Sequence, residues 1–205
     1  MMSKESVEWV VAGFMMCLMI ASCTSPPHLV VYQADKDRVD LREWPVGYMA
    51  QPPHAHPQSL SPETMHRMLR SVYYRESVLF SFLLGNPKPL FTDYQIDRLT
   101  STLPKAFDQA LPQEVVAFRL RVDADSSRYS SGFCFIADDA LHLVVDAIRA
   151  QDFQPKDTLP QPNTARTELV PRSGQRLFST DKVRKGTIPN WIVIPLDTNQ
   201  GKFRL

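Results

Sequence analysis

Apolar positions along this chain recur with two different periods. Val39-Asp-Leu-Arg-Glu-Trp44 alternates apolar with polar residues, the period of a strand whose two sides meet different surroundings. The apolar run Leu29-Val-Val-Tyr32 precedes it, with Ala34 to Asp37 as the turn between two strands. From Ser61 the period becomes helical. Ser61 reads as an N-cap, Pro62 as the first helical residue and Leu60 as a staple onto Met65, and Met65, Met68, Leu69, Val72 and Tyr73 form one stripe. A second helix starts with the same grammar: Thr92 and Gln95 make a capping box, Phe91 staples to Ile96, and Ile96, Leu99, Leu103, Ala106, Phe107 and Ala110 continue the stripe. Pro104 is expected to kink that helix while keeping its phase. Between the helices, Val78 to Leu84 is continuously apolar and ends at Gly85-Asn-Pro87. Its pattern leans towards a buried strand over the tail of the first helix with Gly85 as cap.

The strand period returns at Val116, Phe118, Leu120 and Val122, whose partners Ala117, Arg119 and Arg121 predict a half-buried strand with a cationic outer row. Gly132 to Ala137 and Ala140 to Asp146 are separated by Asp138-Asp139. A two-residue hairpin there pairs Ile136 with Leu141, Cys134 with Leu143 and Phe135 with His142, and apolar residues on both sides predict burial of both faces. Residues 151 to 189 show little periodicity and read as a long loop, after which Trp191-Ile-Val-Ile194 is a strand that returns to the sheet and Pro195 ends it. Together these elements predict an α+β fold: a mixed, largely antiparallel sheet with two helices packed on one face.

Ahead of this pattern lies Trp9 to Ile20, twelve apolar or small residues. That is the length of a secretory h-region and short of the roughly 18 to 20 residues a membrane-spanning helix needs. Ile20-Ala21-Ser22-Cys23 follows it and resembles the lipobox of bacterial lipoproteins. The resemblance covers residues 1–23. It implies a signal peptide of residues 1–22 that is removed, and a diacylglyceryl thioether on Cys23, the new N-terminus. It also implies residence at the periplasmic face of the outer membrane, because Ser25 stands where an inner-membrane retention signal would carry Asp; the inner membrane is the alternative. Two or three acyl chains make such attachment effectively permanent. Residues 23–27 then form the tether, and the four residues Thr24 to Pro27 reach at most about 14 Å. Residues 28–205 are expected to be a single α+β domain with long Pro-rich loops at 45–60 and 151–189.

Removal of residues 1–22 leaves 183 of 205 residues, enough to bury one substantial core. It takes the basic and acidic counts from 23 and 22 to 22 and 20, and that near-neutral balance argues against a nucleic-acid partner. With Cys17 lost and Cys23 lipidated, only Cys134 remains as a thiol, so the mature chain forms no internal disulfide. Proline outnumbers glycine seventeen to seven and marks stiffened connections.

Candidate chemistry is sparse. His54-Ala-His56 has two imidazoles but no thiol or carboxylate beside it, so no metal and no cofactor are assigned. His142, facing Phe135 in the hairpin, reads as a hydrogen-bonded core residue. A hydrolase would need a nucleophile and an orienting acid at that ring, and neither a Gly-x-Ser-x-Gly turn nor a nucleotide-binding glycine motif is present around Ser130 and Ser131. Arg166, Arg172, Arg176, Lys182, Arg184 and Lys185 form a basic stretch suited to an anionic partner or the membrane surface. The expected function is therefore a non-enzymatic, membrane-tethered binding or accessory subunit of an envelope assembly with an envelope protein as partner. A lipid or small-ligand carrier and a hydrolase using His142 are the alternatives.

Overall fold

The hairpin at Asp138-Asp139 is the centre of the molecule. The computed structural model describes residues 28–45, 53–76, 85–151, 167–180 and 186–196. Both turn aspartates have positive φ, 50° and 53°, as a two-residue turn matched to right-handed strand twist requires. They join β6 (Arg128–Ala137) to β7 (Ala140–Gln151), with Ile136 opposite Leu141, Cys134 opposite Leu143 and Phe135 opposite His142 as the sequence predicts.

Around this pair the chain adds β1 (Leu29–Ala34), β2 (Asp37–Glu43), β5 (Glu114–Arg121), β9 (Arg176–Ser179) and β10 (Thr187–Pro195). They form a seven-stranded sheet in the order β1-β2-β5-β6-β7-β10-β9, antiparallel at every pairing. A second sheet holds β4 (Lys88–Pro89), β3 (Tyr73–Glu76) and β8 (Thr167–Val170) in that order. Helices α1 (Pro62–Arg70) and α2 (Asp93–Gln109) cover one face of the large sheet, which makes the fold the expected α+β arrangement.

Period-two alternation sorts the strand residues onto two cores. Val116, Phe118, Cys134, Ile136, Leu141, Leu143 and Ile192 face the helices and pack with Met65, Leu69, Leu99, Leu103 and Phe107. Val115, Ala117, Phe133, Phe135, Val144, Trp191 and Val193 form a separate core on the other face, closed by Trp44, Phe178 and Ile188. Gly132 is required where β6 crosses β5 and β7: a Cβ there would stand 2.1 Å from the Val144 carbonyl oxygen and 3.1 Å from Phe118 Cζ.

Both helix starts form as read. Ser61 Oγ accepts from the Thr64 N–H, and the Thr92 and Gln95 capping box is complete. The box also ties α2 to the sheet, since Thr92 Oγ1 donates to the Val122 carbonyl (2.6 Å) and Gln95 Nε2 to the Leu120 carbonyl (3.1 Å). α2 runs through Pro104 with its stripe still buried. At its N-terminal end, Tyr94 donates to Asp37 (2.5 Å), a fully buried carboxylate that also accepts from the Arg121 N–H at 2.7 Å. That bond holds the Tyr94 hydroxyl above its usual pKa.

Three expectations need correction. The first helix stops at Arg70, and Val72 and Tyr73 leave it: Val-Tyr-Tyr favours extended backbone, and Tyr73 and Tyr74 start β3. The segment 151–189 is not all loop, because it contributes β8, β9 and the first residues of β10. β8 and β9 are four residues each with mixed polarity, and partners from distant sequence, β3 and β10, supply the pairing that local pattern lacks. β5 is buried on both sides at its start, since Val115 and Ala117 lie under the second core, and only Arg119 and Arg121 keep the cationic outer row half-exposed. The apolar run 78–84 lies outside the described residues.

Candidate functional site at the entry end of the sheet

The register places the start of β1, the end of β2, the start of β5, the Asp138-Asp139 turn, Pro195 of β10 and Arg176 of β9 at one end of the sheet. The chain enters here, at His28. The His28 N–H donates to the Leu41 carbonyl (2.9 Å), and its Nδ1 lies 2.9 Å from Glu114 Oε1. Glu114 is nearly buried, and its other oxygen accepts from the Leu111 N–H at 2.8 Å. One carboxylate thus binds the entering chain to the connection between α2 and β5. The large apolar side chains left exposed among the described residues are Leu29 (38%), Val30 (40%) and Leu111 (42%), and all three belong to this junction.

Cys23 lies outside the described residues, as do Arg166, Lys182, Arg184 and Lys185. Arg172 and Arg176 are exposed. The Arg172 guanidinium stacks 3.7 Å from the centre of the Tyr73 ring, and its backbone N–H is held by Gln175 Oε1. Gln175 in turn donates to Ser71 Oγ at 2.7 Å, which docks this turn on the end of α1. Arg176 stands at the entry end, opposite Val193. Lys182, Arg184 and Lys185 belong to the β9–β10 connection, which leaves at Thr180 and returns at Gly186 at the opposite end, where the Thr180 N–H meets the Gly186 carbonyl at 3.1 Å.

Two of the three central histidines, His54 and His142, pack on the aromatic face, while the His56 ring lies between His54 and Phe107 of the helix-covered core. Residues 53–58 pass beside β6 just beyond the start of β5: the Ala55 N–H donates to the Ile136 carbonyl (2.8 Å), and the Ile136 N–H donates to His56 Nε2 (3.0 Å). His54 Nδ1 donates to the Glu114 carbonyl (3.0 Å), and its ring lies 4.5 Å from Phe135. On the far side of Phe135, His142 stacks at 4.8 Å and its Nδ1 accepts from the Trp191 indole N–H at 3.1 Å. Burial lowers all three imidazoles, with His56 and His142 brought down to about 4. For those two, protonation would also turn an accepting nitrogen towards an N–H donor.

No family model, curated protein or solved structure matches the chain.

The chemistry available at these histidines follows from their neighbours. Around His142 stand Phe135, Phe178 and Trp191. Ser131 is four residues along β6 from Phe135, about 13 Å at strand rise, and pairs with Ala147. Ser130 Oγ accepts from the Arg149 N–H. Among the described residues no three His, Cys, Asp or Glu side chains gather in a way that could hold a metal. Among the same residues no helix is long and apolar enough to cross a membrane. Sequence reasoning picked out His54, His56 and His142 but did not see that His54 and His142 both pack on Phe135, and it missed the junction of His28, Leu111 and Glu114. A histidine beside the tether and an acid opening a strand were its only traces.

Proposed function

We propose that the protein is a lipoprotein of the bacterial envelope, held through lipid on Cys23 at the periplasmic face of the outer membrane, where it acts as a non-enzymatic binding or accessory subunit of a larger assembly. The observation that carries this reading is the apolar segment from Trp9 to Ile20 running directly into Ile20-Ala21-Ser22-Cys23. The position of His28 supports it: five residues after Cys23 the chain is already bonded into an edge strand, so the folded part stands within about 14 Å of an anchor.

The non-enzymatic half rests on how the polar side chains are employed. His54, His56 and His142 each bond a backbone or indole group through one ring nitrogen, and among the described residues the rings packed on His142 are Phe135, Phe178 and Trp191. The carrier alternative would want a space between helices and sheet, and Phe107, Phe118, Met65 and Leu99 pack that interval. The test is fractionation together with affinity capture from detergent-solubilised membranes of cells making the full chain. Wild type is expected in the membrane fraction with a specific co-purifying envelope protein, and Cys23→Ala in the soluble fraction. Wild type found soluble, or Cys23→Ala found still in the membrane, contradicts the reading.

A further inference from the structure

The entry end of the sheet is the place where the folded part and the bilayer would meet, and we infer that Leu29, Val30 and Leu111 seat it in the apolar margin of the lipid surface. The inference rests on the lipid anchor proposed above and adds to it an orientation and a contact surface.

Three independent facts converge on one spot. The exposed large apolar side chains of the described residues are concentrated at this junction, whereas the opposite end presents Asp35, Lys36, Asp123, Asp125 and Arg128 to solvent. The chain arrives here from Cys23 through four residues that reach about 14 Å at most, too short to wrap round to the other end of β5 and β6, eight and ten residues or about 26 to 33 Å long. The carboxylate of Glu114 fixes His28 and the Leu111 N–H to its two oxygens, so the apolar side chains sit on a rigid mount and not on a loose tail.

The occupant is lipid, and apolar contact selects it. The charged groups at this end are mixed: Glu43, Asp138 and Asp139 are exposed, with Arg176 against them. A net attraction to anionic head groups is therefore not what seats the surface. Leucine and valine side chains entering the boundary between head groups and acyl chains favour zwitterionic and anionic lipid alike. β1 is an edge strand, and the irregularity in its pairing between Val30 and Tyr32 disturbs the regular ladder that another strand would need. That favours lipid over strand addition as the cover.

The mature lipidated protein carries one remaining thiol, the buried Cys134, so introduced cysteines can be labelled selectively. Leu29→Cys, Leu111→Cys and the far-end control Asp125→Cys would each receive an environment-sensitive fluorophore. Each would then be reconstituted in phosphatidylcholine vesicles, with and without phosphatidylglycerol, that contain a spin-labelled lipid. The expected result is quenching at positions 29 and 111 at least about threefold stronger than at 125, in both lipid mixtures and at any salt concentration. Equal quenching at all three positions on vesicle-bound protein overturns the seat while leaving the anchor intact. Labels at 29 and 111 that are shielded from aqueous iodide but not reached by spin-labelled lipid also overturn it, in favour of a protein cover. Protein that carries no lipid and does not bind vesicles overturns the anchor and the seat together.

Discussion

The two faces of the seven-stranded sheet are built from alternate residues of the same strands, yet they answer to different physics. The helix-covered face is mainly aliphatic, with Leu, Ile, Val and Met interlocked with Phe107 and Phe118 under α1 and α2. The opposite face is an aromatic cluster of Trp44, Phe133, Phe135, Phe178 and Trp191 into which His54 and His142 are packed. The difference teaches that the aromatic face holds imidazoles, His54 and His142, whose protonation burial opposes.

The largest expected effect separates neither face, because it breaks both. Gly132→Ala puts a methyl group 2.1 Å from the Val144 carbonyl oxygen, and the strand must shift; a loss of about 3 kcal/mol or more is expected, read as a fall in the urea midpoint. Truncations in either core follow. Phe135→Ala, on the aromatic face, is expected to cost about 3 to 5 kcal/mol, and Leu99→Ala, on the helix face, about 2 to 5 kcal/mol. The contrast between them lies in acid: the Leu99→Ala variant keeps the pH profile of the wild type, whereas Phe135→Ala makes it shallower by admitting water to His142, leaving the part that belongs to His56.

That profile is itself a prediction. His56 and His142 titrate near 4 in the folded state and near 6.5 when unfolded, so between those values the unfolded chain binds more protons. Stability is full above about pH 6.5 and falls as the pH drops towards 4, by up to about 3 kcal/mol for each of the two rings. Urea midpoints at pH 7.5, 5.5 and 4.5 check this, and a flat profile would mean that the aromatic face is open to water. A smaller effect is expected at the α2 cap, where Thr92→Ala should cost about 1 kcal/mol through the lost bond to Gln95.

The sequence carried the local features of both faces well. Turn chemistry at Asp138-Asp139, the two capped helix starts, the alternation of β2 and the two-sided apolar runs of β6 and β7 are set by neighbours in sequence, and each formed where its pattern lay. What remained hidden depends on distant partners. Thr167-Glu-Leu-Val170 has too little pattern to declare a strand, and it becomes one because Tyr73 to Glu76 lies beside it with Arg75 paired to Glu168. The same holds for the site. His142 facing Phe135 was legible from hairpin register, whereas the arrival of His54 on the other side of Phe135 depends on residues 53–58 extending the β6 ladder where β5 stops. No periodicity encodes that placement. The Glu114 junction was equally hidden, since it joins residues 28, 111 and 114 through a single carboxylate.

The proposed lipid on Cys23 is the point on which the proposed orientation of the sheet depends. Intact mass and N-terminal peptide analysis of the protein purified from membranes tests it most directly. The account predicts a chain that begins at Cys23, lacks residues 1–22 and carries the added mass of a diacylglyceryl group, with fatty-acid label at that cysteine. A purified protein that retains Met1, or begins elsewhere with an unmodified Cys23, would contradict it.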